Sequence, residues 1–288
     1  MRTDSIRPAA VAGSWYPGTR GALARDVDAY LEAVGPDAIP RGRLDAVIAP
    51  HAGLMFSGPV GAYSYKAADA MGVHDTIVLV GPSHFVAFDG VALYPSGAFE
   101  TPLGNVAIDE SLGAELAAAS PIVQPLSTAH RREHSLEMQL PFIKRLLPGT
   151  AIVPLLMGFQ TRATIEALAA ALGRVAPGRR LLLVASTDLS HYFDAPTARK
   201  LDARVQDCVE AFDAARLLDV FEQYPEVERG RYVACGGGPA IAVMLAARAR
   251  GAEDARVLKY MHSGEISGDN SGVVGYLAGA FGTFTDVH

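Results

Sequence analysis

The sequence predicts an α/β fold: a three-layer α/β/α sandwich with a mostly parallel central sheet. Two observations carry that expectation. Continuous apolar runs at 44–49, 76–80, 151–157 and 181–185 read as strands buried on both faces, because a strand covered by helices on either side has no face for polar residues. Between these runs, apolar residues recur at helical spacing, so strands alternate with amphipathic helices as in a helix-covered parallel sheet. The chain has 288 residues, half of them hydrophobic, enough to bury a sizeable core. It shows no repeat of fixed period, no low-complexity tract and no linker-like stretch, so a single domain over 1–288 is expected.

Each element follows from local pattern. Gly13-Ser14-Trp15-Tyr16-Pro17 is a turn-rich opening. Leu23, Val27, Tyr30, Leu31 and Val34 give residues 21–34 a helical face. A helix near 58–70 follows the first strand, and a turn-rich segment to about 107 follows the second. A helix near 110–119 precedes a loop with Pro121 and Pro125. Leu136, Leu140, Ile143 and Leu147 predict a helix over 135–147, which Ser135 would cap. A helix at 162–175 joins the strands at 151–157 and 181–185. Leu201, Val205, Cys208, Val209 and Phe212 share one face of a strongly amphipathic helix over 197–213. Gly236-Gly237-Gly238-Pro239 opens a helix to about 249, and strands near 256–261 and 272–281 close the chain.

Composition excludes several classes. The net charge is −6 and the densest basic spots, Arg131-Arg132 and Arg179-Arg180, are short and isolated, which argues against nucleic acid as a partner. Cys208 and Cys235 are the only cysteines, too few for a disulfide framework in a chain of this size. Arg2, Asp4 and Arg7 are followed by no apolar stretch of the kind a signal peptide needs. No apolar run reaches the ~18 residues of a membrane span. These features together predict a soluble cytoplasmic protein.

The chemistry gathers at strand ends. Val47-Ile48-Ala49-Pro50 leads into His51, and Ile77-Val78-Leu79-Val80-Gly81-Pro82-Ser83 leads into His84. A third run, Leu181 to Ala185, passes through Ser186-Thr187-Asp188-Leu189-Ser190 into His191. Ligands of open α/β sheets bind beyond the carboxyl ends of the strands. Three histidines delivered there suggest a metal or acid–base site, and the pair His51 and His84 suits a divalent transition metal. Each histidine taken alone also reads as a strand-end residue bonded to a loop. Cys235 precedes the glycines that open a helix, where free N–H groups and the helix dipole favour a thiolate. Cys208, on its apolar stripe, reads as a buried inert residue. Asp188 lies three positions before His191 and can orient it for proton transfer; its structural alternative is a cap for the helix beginning near Pro196. His74, His130, His262 and His288 have no comparable setting and read as surface or core residues.

Two rival motifs are weak. Cys235-Gly236-Gly237-Gly238 as a phosphate cradle lacks a lysine at Walker spacing, and no G-x-G-x-x-G occurs. Gly81-Pro82-Ser83-His84-Phe85 as a nucleophile elbow lacks its last glycine.

Taken together, these segments resemble the Memo family. The matching pieces are Ala12-Gly13-Ser14-Trp15-Tyr16, Ile48-Ala49-Pro50-His51-Ala52-Gly53 and Gly81-Pro82-Ser83-His84. After them come Glu133-His134-Ser135-Leu136-Glu137-Met138-Gln139-Leu140-Pro141, Ser186-Thr187-Asp188-Leu189-Ser190-His191 and Cys235-Gly236-Gly237-Gly238-Pro239. They occur in family order across essentially the whole chain. The resemblance implies a fold similar to the class III extradiol non-haem iron dioxygenases. It implies His51, His84 and Cys235 as metal ligands, and Trp15, Glu133 and His134 as pocket residues. Asp188 and His191 would be catalytic, with His191 at the position of a dioxygenase acid–base histidine. Fe(II) is the metal most expected from the resemblance, with copper or zinc as alternatives. A functional link to a radical-SAM protein is also implied. One departure matters: dioxygenases of that fold hold Fe(II) with two histidines and a carboxylate, whereas Cys235 would offer a softer, more oxidisable thiolate.

Three functions are therefore expected in order. The first is a metal-dependent oxidoreductase, dioxygenase-like, acting on a small-molecule or peptide substrate. The second is a non-catalytic metal- or peptide-binding module. The third is a zinc hydrolase with His191 or Asp188 as base.

Overall fold

The structure, a computed structural model, describes residues 6–285; Arg2, Asp4 and His288 lie outside them. In chain order the strands are β1 (Ile6–Arg7), β2 (Arg41–Ala49), β3 (Thr76–Pro82), β4 (Val91–Leu93), β5 (Ala98–Phe99) and β6 (Val106–Ala107). They continue as β7 (Val123–Pro125), β8 (Ala151–Met157), β9 (Leu181–Ser186), β10 (His191–Phe193), β11 (Asp254–His262) and β12 (Val273–Thr285). The helices are α1 (Arg20–Glu32), α2 (Leu54–Ala70), α3 (Glu110–Ala119), α4 (Ser127–His130), α5 (Leu140–Leu146) and α6 (Arg162–Arg174). After them come α7 (Ala195–Glu210), α8 (Ala214–Glu222), α9 (Glu226–Tyr232), α10 (Gly237–Ala249) and α11 (Gly264–Ser267).

The main sheet has nine strands in the order β10-β12-β2-β9-β3-β8-β4-β7, with β11 also pairing β12. Its centre, β2-β9-β3-β8, is parallel. Its flanks are not: β12 runs antiparallel to β2, β10 and β11, and β4 antiparallel to β8. The sheet is thus mixed: the expected parallel strands form its centre, and antiparallel strands flank them. The reason is the chain's end, where β11 and β12 form an antiparallel pair on the β2 edge, with only the short helix α11 in their connection. Such a pair needs no long crossover.

Both faces are covered. Along the central strands, successive side chains point to opposite sides. Ala46, Ile48, Val78, Val80, Leu183 and Ala185 pack against α3, α6, α7, α8 and α10. Val47, Ala49, Ile77, Leu79, Leu182 and Val184 pack against α1, α2 and α5. These strand residues are essentially unexposed, each worth about 1.5–3 kcal/mol for a side chain of valine or leucine size. Among the described residues, no single helix is long and apolar enough to cross a membrane.

Several boundaries differ from the sequence pattern. Helix α2 begins at Leu54, ahead of residue 58, and carries Pro59 inside it. The expected helix over 135–147 is a 3₁₀ turn at Glu137–Gln139 followed by α5. Tertiary hydrogen bonds cause this. Ser135 Oγ donates to Pro82 O, Glu137 accepts from Arg7, Tyr16, Ala10 and Val11, and Gln139 Nε2 donates to Pro50 O. Residues 135, 137 and 139 thus all serve tertiary bonds, a two-residue period that a regular helix cannot provide. Ser135 caps nothing. The single helix over 197–213 is α7, broken from α8 at Phe212, whose φ is 50°. Cys208 lies buried on α7 with Val205 and Val209, while Leu201 is only half-buried. The turn-rich segment after β3 holds β4, β5 and β6, and the proline loop holds β7. His74, His130 and His262 are buried.

Candidate metal centre

The parallel centre of the sheet decides where the site lies. Strand β9 sits between β2 and β3, so the segments leaving the carboxyl ends of the three strands meet over β9. His51 leaves β2, His84 leaves β3, and Ser186 to Asp188 leave β9. Cys235 arrives from the other side, just before α10. Its thiolate-facing geometry depends on glycine: a Cβ on Gly236 would stand 2.4 Å from Ser186 O, and one on Gly237 2.4 Å from the Phe221 ring. Only glycine lets α10 start this close to the β9 end.

His51, His84 and Cys235 each place one ligand atom within 4.8 Å of the others. Cys235 Sγ is 3.2 Å from His51 Nε2. Two ligands of one first-row metal ion, each at about 2.0–2.3 Å, stand at comparable separations. Two imidazoles and a thiolate match a transition metal; magnesium or calcium would want oxygen. The donor set therefore fits the metal that the sequence motifs imply.

Hydrogen bonds fix which nitrogen each ring presents. Ser186 Oγ donates its single proton to Ser135 O at 2.5 Å and accepts from Gln139 Nε2 at 2.8 Å. Its contact with His51 Nδ1, at 2.9 Å, must then be donation by the ring. Tyr65 OH donates to Gln139 Oε1 at 2.9 Å and holds the amide in place. His84 Nδ1 lies 2.9 Å from Glu133 Oε1, and a carboxylate only accepts. Both rings thus spend Nδ1 on the protein and turn Nε2 to the cavity, the arrangement by which outer groups orient metal-ligating histidines.

Glu133 is the anchor of this second layer. Its oxygens accept from His84 N, His84 Nδ1, His134 N and Ser135 N. Burial opposes its charge, but His84 and these N–H groups hold it well below the usual carboxylate range. It does not line the cavity, contrary to its placement as a pocket residue; it stands behind His84. A second cluster, His84, Glu133 and His134, has its ligand atoms equally close, but the carboxylate is already saturated by these N–H donors.

The electrostatics favour a thiolate. Burial raises the Cys235 pKa, yet the charge of His51 and hydrogen bonds from His51 and His84 outweigh it and bring it down to about 6. For His84 burial works downward, but bonds to Cys235 and Glu133 push it up to about 10. Burial, with the charges of His51 and His84, lowers His134 to about 3, so that ring stays neutral. Cys208, on α7, is raised by burial and is no thiolate.

A cavity of about 470 Å³ opens over this cluster. Its wall includes Trp15 and His134, whose ring centroids are 4.2 Å apart, together with Asp188 and His191. Asp188 is buried, and burial raises its pKa against the His191 charge and the N–H groups of His51 and Ala52. Its Oδ1 accepts from His51 N at 2.7 Å and Ala52 N at 3.3 Å. It makes no hydrogen bond to His191, whose Nδ1 is buried without a partner among the described residues. Asp188 therefore shapes the His51 turn rather than holding the His191 ring, a correction to the expected pairing. Nor does it cap a helix: α7 is capped by Asp194, which accepts from Thr197 N at 2.8 Å. His191 does not end a parallel strand; it starts β10, paired with Val274 of β12. Ser186 and Gln139, which lie within the family motifs, and Tyr65, which lies in none, position His51, and no local sequence signal marks that role. Arg231 and Tyr192 of the wall had no sequence signal.

Comparison with known proteins agrees with this reading of the motifs. The family model for Memo-like proteins matches residues 7–280. A MEMO1 family protein of Methanopyrus kandleri is 36% identical over 284 residues, covering 96% of this chain and 98% of its own length. One from Methanothermobacter thermautotrophicus is 38% identical over 280 residues, covering 94% and 98%. Among solved structures, an uncharacterized protein from Escherichia coli K12 superposes with a TM-score of 0.53 at 15% identity, over 83% of this chain and all of that one. That likeness concerns the fold alone. A family model that matches nearly the whole chain, together with relatives 36% and 38% identical over almost their full length, makes this chain a member of the Memo family.

Proposed function

We propose that the protein is a metal-dependent oxidoreductase in which His51, His84 and Cys235 hold iron, with copper as the alternative. The observation that carries this reading is the convergence of the three ligand atoms within 4.8 Å, with both imidazole Nδ1 atoms committed to the protein. Bound iron or copper would supply a redox couple and a Lewis-acidic centre at the cavity floor. The remaining roles belong to the chain. Ser186 and Glu133 keep the two rings in place. Trp15 and His134 wall the cavity and limit water around a bound substrate. His191, on the wall and not tied to Asp188, is free to accept or donate a proton at the substrate as its charge changes.

Anaerobic purification without added metal, followed by elemental analysis, an absorption spectrum and oxygen uptake, tests this. About one iron or copper per chain, with oxygen uptake on a suitable substrate, supports the proposal. Zinc with ester or amide hydrolysis would replace it by the hydrolase reading. Stoichiometric metal without turnover on any substrate class would replace it by the binding module. His191→Ala should retain the metal and lower turnover by about 10²–10⁴-fold, the usual loss for a general acid–base.

A further inference from the structure

The cavity has a charge that the metal reading does not use. Among the residues that line it, Arg231 is the only arginine or lysine. It lies in the last turn of α9, against the cysteine: a Cβ on the preceding Gly230 would lie 3.4 Å from Cys235 Cα. Most arginines of this protein meet a carboxylate, a carbonyl or a hydroxyl, as do Arg7, Arg145, Arg162, Arg179 and Arg250. Arg231 meets none of these among the described residues. Its guanidinium instead lies 4.9 Å from the centroid of the Phe193 ring and 5.7 Å from that of Tyr232. Such faces hold the group by cation–π attraction and leave its five N–H donors unspent. The wall's one carboxylate, Asp188, has Oδ1 engaged by two backbone N–H groups. The rest of the wall is largely apolar or aromatic, with Trp15, Ala52, Tyr192 and Val274.

From this arrangement we infer that the substrate is a small monocarboxylate with an apolar body, its carboxylate paired to Arg231 and its body against Trp15 and Val274. A planar guanidinium binds a planar carboxylate through two parallel hydrogen bonds. Arg231 is the wall's one guanidinium and offers one such two-bond pair, which suits a single carboxylate. The aromatic stacking fixes the guanidinium before binding, so less freedom is lost when the pair forms. The inference rests on the proposed site only in taking this cavity as the substrate's place.

The test uses benzoate as the charged probe and benzamide as its neutral counterpart, with binding followed by ligand-observed NMR on the purified protein. Wild type should bind benzoate roughly tenfold more tightly than benzamide, the scale of a charge-assisted pair. Arg231→Gln should abolish that preference, with metal content unchanged. Arg231→Lys should keep the charge but only part of the preference. Arg132→Gln is the control for overall charge, since Arg132 lies over Phe85 outside the cavity wall; it should change nothing. Equal binding of the two probes by wild type would overturn the inference. So would a preference that survives Arg231→Gln but vanishes in Cys235→Ala. That second outcome would place the carboxylate on the metal, leaving the proposed function standing and this inference refuted. Tighter binding of phenyl phosphate than of benzoate would overturn the carboxylate assignment.

Discussion

Glu133 shows how one buried side chain can organise a cavity it does not line. It is 2% exposed, accepts four N–H bonds, and sets the His84 ring so that Nε2 faces the cysteine. Replacing it by Gln puts an N–H donor among those four donors and loosens the ring. Glu133→Gln is expected to weaken metal affinity about 10–100-fold, the usual loss for an outer-layer partner, as measured by competition with a chelator of known affinity. The pH behaviour of chelator-treated protein follows from the thiol. Its folded value, about 6, is below its ordinary 9.0. Its contribution to stability is therefore complete above about 9 and lost as pH falls through about 6. His84 has the opposite sign: raised from 6.5 to about 10, it stabilises fully below 6.5 and stops as pH rises through about 10. The melting temperature of metal-free protein should drop as pH falls through 6, and Cys235→Ser should flatten that drop. An identical acid limb in the variant would show that the thiolate does not contribute.

At the scale of elements, the start of α10 is the most constrained piece of the fold. Gly236 has no room for a methyl group against Ser186 O, a backbone atom that cannot move without shifting the β9 end. Gly236→Ala should destabilise by about 1–3 kcal/mol, as overpacking does, in a denaturant titration, and should displace Cys235 as well. Gly35 makes a fair contrast, with nothing within 4 Å of its built Cβ and a φ of −65°; Gly35→Ala should stay within about 0.5 kcal/mol. The sequence marks Gly236 as opening a helix beside Cys235, but its clash with Ser186 O, distant in the chain, is not legible there. What was legible were β2, β3, β8 and β9, because a strand buried on both faces is one unbroken apolar run. Strands β4 to β7, two or three residues each, have no period of their own and are defined only by their pairing with other strands. The segment 135–147 misled for a similar reason. Its apolar spacing is helical, but Glu137 answers to Arg7 and Tyr16, more than 120 residues away.

Over the whole molecule, one sheet carries both core halves, and β9 lies at its centre with the site at its carboxyl end. Leu183 is fully buried there. Leu183→Ala should cost about 2–5 kcal/mol, and tryptophan fluorescence, which reports Trp15 alone, should melt together with far-ultraviolet circular dichroism. Separate transitions would mean that the two faces unfold independently. His51, His84 and Cys235 stand out as candidates from the residues, because each follows a strand end or precedes a helix, while their grouping as one set of three is what the family resemblance implies. The layer behind it was less so: Ser186, Gln139 and Tyr65 act through contacts that span 47 to 135 residues, and no local pattern announces such a contact. The same holds for the separation of Asp188 from His191, three positions apart in sequence yet with no hydrogen bond between their side chains. The measurement that bears most directly on the central claim is X-ray absorption at the edge of the bound metal in protein purified anaerobically. The account predicts one sulfur at about 2.3 Å and at least two imidazole nitrogens at about 2.0–2.1 Å, with the sulfur lost in Cys235→Ala. A wild-type spectrum with only nitrogen and oxygen neighbours would contradict it.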